Sequence, residues 1–217
     1  MQLLFSEGLA FGISILAFFY GLITVFRTRA PLYFKLIICA VGCYALEELW
    51  VIINVVCSIG SGVFSVRLLG IFGCFCTFLT ASKVLNKDLF KKRDKKRLAD
   101  IAVFAVPLVL AALGVWGVWY AVSDRTVFRV AVVFLVLLPA VWDSYYETKF
   151  AFAHADDDGH VAAIRPIALL VILEYILSFL YCYFLYKGIG LMTDVVSALL
   201  MAIMVIFCRK GAAKWKT

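Results

Sequence analysis

Seven runs of mainly apolar residues, each long enough to cross a hydrocarbon core about 30 Å thick as a helix, limit what this chain can fold into. They cover roughly 3–26, 32–57, 63–85, 100–122, 127–149, 165–187 and 190–209. Arg27-Thr28-Arg29-Ala30-Pro31 closes the first, and Ser58-Ile59-Gly60-Ser61-Gly62 reads as a turn after the second. With 65% of its 217 residues apolar, the chain is expected to be an all-α membrane protein. A single seven-transmembrane helix bundle over residues 1–217 leaves no room for a soluble domain. The first run lacks the basic leader and cleavage site of a removable signal, so it is expected to stay as a helix.

Charge orients the bundle. Seventeen of the 21 Lys and Arg fall at one set of helix ends: Arg27, Arg29, Lys35, eight from Lys83 to Arg97, Lys149, Arg165, and four from Arg209 to Lys216. Arg67, Arg125, Arg129 and Lys187 lie at the other. The positive-inside rule then puts the N-terminus outside and the C-terminus in the cytoplasm, with the cell membrane as the expected location. The same distribution accounts for the net charge of +7, so nucleic-acid binding is not supported. The Lys83–Arg97 run reads first as a topology anchor and second as a site for anionic lipid headgroups.

The polar residues at membrane depth carry the functional argument. In the second run Lys35, Cys39, Cys43, Glu47, Trp50 and Asn54 recur at steps of three or four, one stripe on a helix. Glu48 lies about 100° round from it, above Tyr44. A carboxylate at this depth costs a few kcal/mol or more unless it is protonated, paired or facing water. Either these acids are neutral hydrogen-bonding groups that hold the bundle together, or they line a polar path.

Further acids follow. Pro139 is expected to kink the fifth run beside Trp142, Asp143, Tyr145 and Tyr146. Glu174, Ser178 and Tyr181 or Cys182 form a stripe on the sixth, and Asp194 and Ser197 sit toward the outer end of the seventh. The fourth run has no ionisable residue from Ile101 to Val122, which suits a lipid-facing or linking helix. As a linker it would serve a three-plus-one-plus-three repeat, although 3–85 and 127–209 show no residue-level match. At about 1.5 Å per residue, Arg67, Arg129 and Asp194 share the outer leaflet and are candidates for an outer ion pair or gate. Glu47 and Glu48 fall near the middle, and Asp143 and Glu174 in the inner half, with few bases at their own depth.

Several chemistries are disfavoured. Both histidines lie in or beside the loop His154-Ala155-Asp156-Asp157-Asp158-Gly159-His160, which matches no metal signature and reads as a solvated acidic turn. Membrane-depth haem, a zinc hydrolase and a retinal Schiff base all lack their ligands, so no cofactor or metal is expected. Most of the seven cysteines lie at hydrocarbon depth, where they pack as small apolar groups, and a thiol-redox enzyme is not supported. The reading that results is a non-enzymatic transporter or permeation protein for a proton-coupled or cationic small solute. Glu47, Glu48, Trp50, Asn54, Trp142, Asp143, Tyr146, Glu174 and Ser178 would form its path. The alternatives are a ligand-binding sensor that signals to a cytoplasmic partner, and an accessory membrane subunit.

Overall fold

The computed structural model describes the backbone at residues 2–57, 66–89, 97–121, 127–152, 160–186 and 190–215, and side chains at 5–57, 69–87, 103–116, 136–152, 160–180 and 193–215. Among the described residues there are seven α-helices. They are α1 (Gln2–Gly21), α2 (Leu32–Cys57), α3 (Val66–Leu89), α4 (Arg97–Ala121), α5 (Val127–Ala151), α6 (His160–Tyr186) and α7 (Gly190–Lys214). A wider π-helical turn, Leu22–Phe26, continues α1. Pro107, Pro139 and Pro166 all lie inside continuing helices. The Ser58–Gly62 turn and 153–159 of the acidic loop lie outside the described residues, as do 90–96 of the basic run.

Five stretches are long and apolar enough to cross a membrane: Phe5–Phe26, Leu32–Cys57, Leu69–Lys87, His160–Leu180 and Thr193–Lys214. Val103–Trp116 is a shorter apolar helix. The chain is therefore built as an integral membrane protein. Two helices run further than their apolar stretches predict: α6 starts at His160 rather than near 165, and α7 continues past 209 to Lys214. The reason is packing. Cys208, Gly211 and Ala212 are still buried, and Trp215 stacks on His160 with ring centroids 4.1 Å apart. Hydropathy reports where lipid contact ends, and helices here persist beyond it.

The helix contacts close a five-membered ring, α2–α3–α5–α6–α7 and back to α2. The other two helices flank it, α1 against α2 and α7, and α4 against α5 and α6. The flanking place of α4 agrees with its lack of ionisable residues between Ile101 and Val122, and Phe104, Leu108 and Val109 are exposed on it. The core of the ring is aromatic and aliphatic, with Tyr33, Phe34, Phe78, Phe150, Tyr175 and Phe179 essentially inaccessible.

Close approach of α3 to α2 depends on Gly70. A β-carbon at Gly70 would stand 2.7 Å from Glu47 Cβ and 3.1 Å from its Cα, and one at Gly73 would stand 3.6 Å from Cys43 Sγ. Helices in lipid associate largely through such tight packing, because the surroundings are as apolar as their own side chains. The pairs Glu47 with Gly70 and Cys43 with Gly73 also show that α2 and α3 run antiparallel.

Candidate functional site

Six buried acids belong to the ring helices: Glu47 and Glu48 on α2, Asp143 and Glu147 on α5, Glu174 on α6 and Asp194 on α7. Among the described residues no Lys or Arg is buried with them. A seventh buried acid, Glu7, lies on the flanking helix α1.

The acids fall into two groups. In the first, Tyr44 lies within electrostatic range of Glu48, Glu174, Glu47 and Asp194, and its hydroxyl donates to the Asp194 carbonyl at 3.1 Å. Ser197 on α7 and Ser178, one turn along α6, lie within hydrogen-bonding reach of Glu174. Glu174 Oε2 is nevertheless buried with no hydrogen-bond partner among the described residues.

The second group joins four ring helices. Ser82 on α3 donates to Glu147 Oε1 at 2.5 Å and is also within hydrogen-bonding reach of Asp143. Tyr175 on α6 donates to Asp143 Oδ2 at 2.6 Å, its ring held edge-on between Phe75 and Phe78. Tyr33 on α2 lies within electrostatic range of Glu147, Cys208 and Asp143. Asp143 Oδ1, Glu147 Oε2 and the Tyr33 hydroxyl are buried and have no hydrogen-bond partner among the described residues. Buried polar atoms normally find partners, so three orphans in one cluster need a physical reason.

Tyr175 and Cys74 stand between the two groups. Tyr175 donates to Asp143 and lies within electrostatic range of Glu147 and Cys74, and Cys74 lies within that range of Glu174, Cys43 and Glu47.

The residues singled out by sequence are distributed unevenly around this arrangement. Glu47, Glu48, Glu174 and Asp194 come together, with Ser178 beside them. Trp50 and Asn54 are half-buried further along α2. Trp142 does not join the acids. It faces outward at 55% exposed, with the Lys83 ammonium 4.6 Å from its ring centroid. Tyr146 is half-buried and packs edge-on to Tyr145. The side chains of Arg67, Arg129, Tyr181 and Cys182 lie outside the described residues.

The stripe read on α2 proves to be the edge of its inward face. Of the stripe, Glu47 is buried while Lys35, Cys39, Cys43, Trp50 and Asn54 are only partly covered; Tyr33, Ile37, Val41, Tyr44 and Glu48 are buried beside it. These positions also recur at helical spacing, and they face inward because α1, α3 and α7 all grip this helix.

Glu147, Ser82, Tyr33 and Glu7 escaped the sequence reading. Asp143 and Glu147 are four residues apart, and a search for acids at that spacing would have found the pair. Nothing local marked Ser82 or Tyr33.

Cys39, Cys43, Cys57, Cys74, Cys76 and Cys208 are free thiols. Among the described residues no three His, Cys, Asp or Glu side chains are grouped to hold a metal ion. Comparison with known protein families, with curated proteins and with solved structures finds no match.

Proposed function

We propose that this chain is a small membrane transporter or permeation protein that moves a proton-coupled or cationic solute past its buried acids. The observation that carries this reading is six buried carboxyl groups on the ring helices, with no buried base among the described residues. Leaving such groups charged and unpaired at membrane depth costs several kcal/mol, so a purely structural role favours apolar replacements. Acids at this depth mark ion and proton paths. Glu47, Glu48 and Glu174 form the central station, and Asp143 with Glu147 forms the second. Tyr175 and Cys74 bridge them.

In this reading the N-terminus is outside and the C-terminus is in the cytoplasm of the cell membrane, following the basic residues. Arg67 and Arg129 then belong to the outer ends of their helices, Asp194 forms the outer edge of the central station, and the basic run from Lys83 to Arg97 meets the inner headgroups.

Flux through purified protein in liposomes tests the reading. Proton and monovalent-cation flux is expected in the wild type, with at least a tenfold loss in Glu47→Gln. A Glu47→Gln protein that folds normally and keeps full flux overturns the assignment of the central station.

A further inference from the structure

The group around Asp143 and Glu147 differs from the central one in how its oxygens are arranged. Ser82 lies within reach of both carboxyl groups but has a single proton to donate, so it can satisfy only one at a time. Two groups that approach one hydroxyl are separated by no more than about 6 Å, twice a hydrogen-bond length. Tyr175 serves the other oxygen of Asp143. What remains is Asp143 Oδ1, Glu147 Oε2 and the Tyr33 hydroxyl, all buried and without a hydrogen-bond partner among the described residues. Tyr33 is 1% exposed and comes from a different helix, so its oxygen is an independent sign that something is held here.

Candidate occupants can be sorted by what these oxygens need. Water could bridge them but leaves two carboxylates close together in an apolar interior. A proton on one carboxyl removes one charge but supplies a donor to only one of the three orphan oxygens. Ca²⁺ takes six to eight oxygens, and Mg²⁺ keeps several waters in near-octahedral geometry. Two carboxylate oxygens and two hydroxyls, all on fully buried residues, suit neither. A small monovalent cation offsets one of the two negative charges, as a proton does, but accepts lone pairs from all four oxygens at once. Of the nearby cationic side chains, Lys83 lies over the Trp142 ring and acts on Asp143 through space, and Lys149 donates to Asn86 Oδ1 at 2.8 Å; neither hydrogen-bonds the orphan carboxyl oxygens.

We propose that Asp143, Glu147, Ser82 and Tyr33 form a binding site for one small monovalent cation such as Na⁺. The proposal deepens the transport reading by giving it a coupling ion, and binding is measured without transport. The probe is Na⁺ itself, titrated into purified protein in detergent against N-methylglucamine at constant ionic strength, with the thermal unfolding midpoint as readout. An ion that binds only the folded state raises that midpoint by an amount that grows with the logarithm of one plus its concentration over its dissociation constant.

Na⁺ is expected to raise the wild-type midpoint by several degrees. Asp143→Asn and Glu147→Gln are expected to abolish the rise. Tyr33→Phe keeps the ring and removes one oxygen, so its half-saturating Na⁺ concentration is expected to increase several-fold, a test that holds even if an acid variant folds poorly. A wild-type midpoint insensitive to Na⁺ overturns the site, as does a rise that survives both acid substitutions or that Tyr33→Phe leaves unchanged. Glu47→Gln is expected to retain the rise. Na⁺ stabilisation without wild-type flux would overturn the transport reading alone, and flux without Na⁺ stabilisation would overturn this site alone.

Discussion

Glu174 has Ser178 on its own helix and Ser197 on the next within hydrogen-bonding reach, whereas Asp143 and Glu147 take hydrogen bonds from Tyr175 and Ser82 on two other helices. The first arrangement is partly local: a hydroxyl four residues along α6 follows its acid wherever the helix moves. The second exists only while α3, α5 and α6 hold their relative positions. A small shift of one helix therefore changes the environment of Asp143 and Glu147 more than that of Glu174. In a protein that moves a solute, the locally supported acid suits a fixed station, and the pair shared among helices suits a group whose occupancy is coupled to helix packing.

The contrast can be broken by removing the donors. Ser82→Ala deletes the hydroxyl that serves Glu147 and reaches Asp143, and is expected to cost about 3 kcal/mol, the upper end for a buried hydrogen bond to a charged group. Unfolding in detergent by denaturant titration measures it. A loss below about 1 kcal/mol would show that the α3–α5 link is not specifically supporting the acids.

Backbone approach sharpens the comparison from the other side. Gly70→Ala forces a methyl group against Glu47 Cβ and Cα, which cannot swing away as a side-chain tip would. About 2 kcal/mol of destabilisation is expected, within the usual range for overpacking. Gly73→Ala, whose nearest neighbour would be Cys43 Sγ at ordinary contact distance, is expected to cost much less in the same titration. Equal effects would contradict the tight seating of Glu47 on α3.

The smallest effect is expected at Ser178→Ala. Ser197 still serves Glu174 and Ser178 is on the same helix as its acid, so the loss should be no more than about 0.6 kcal/mol, the average even for polar contacts between membrane helices. A loss as large as that of Ser82→Ala would erase the distinction between the two groups.

The helical class and the flanking character of α4 were legible in hydropathy and charge, because lipid contact demands long apolar runs. Glu47, Glu48, Asp143 and Glu174 were legible as well, since an acid in an apolar run stands out. Their grouping was not. The apparent stripe on α2 ran through Cys39 and Cys43, but burial follows Tyr33, Ile37, Val41, Tyr44 and Glu48, because three neighbours and not local polarity decide which face turns inward. Trp142 misled for a related reason: its proximity to Asp143 in sequence suggested a shared site, yet adjacent residues on a helix point about 100° apart. Glu147 was passed over near the polar end of its run, where an acid reads as interfacial.

The most direct test of the account is whether both groups lie on one route. Cation and proton flux would be measured in liposomes for the wild type, Glu174→Gln and Asp143→Asn, at matched protein content and orientation. Each substitution alone is expected to reduce flux at least tenfold while the protein remains folded. Full flux in either folded variant would contradict a single path through both groups of acids.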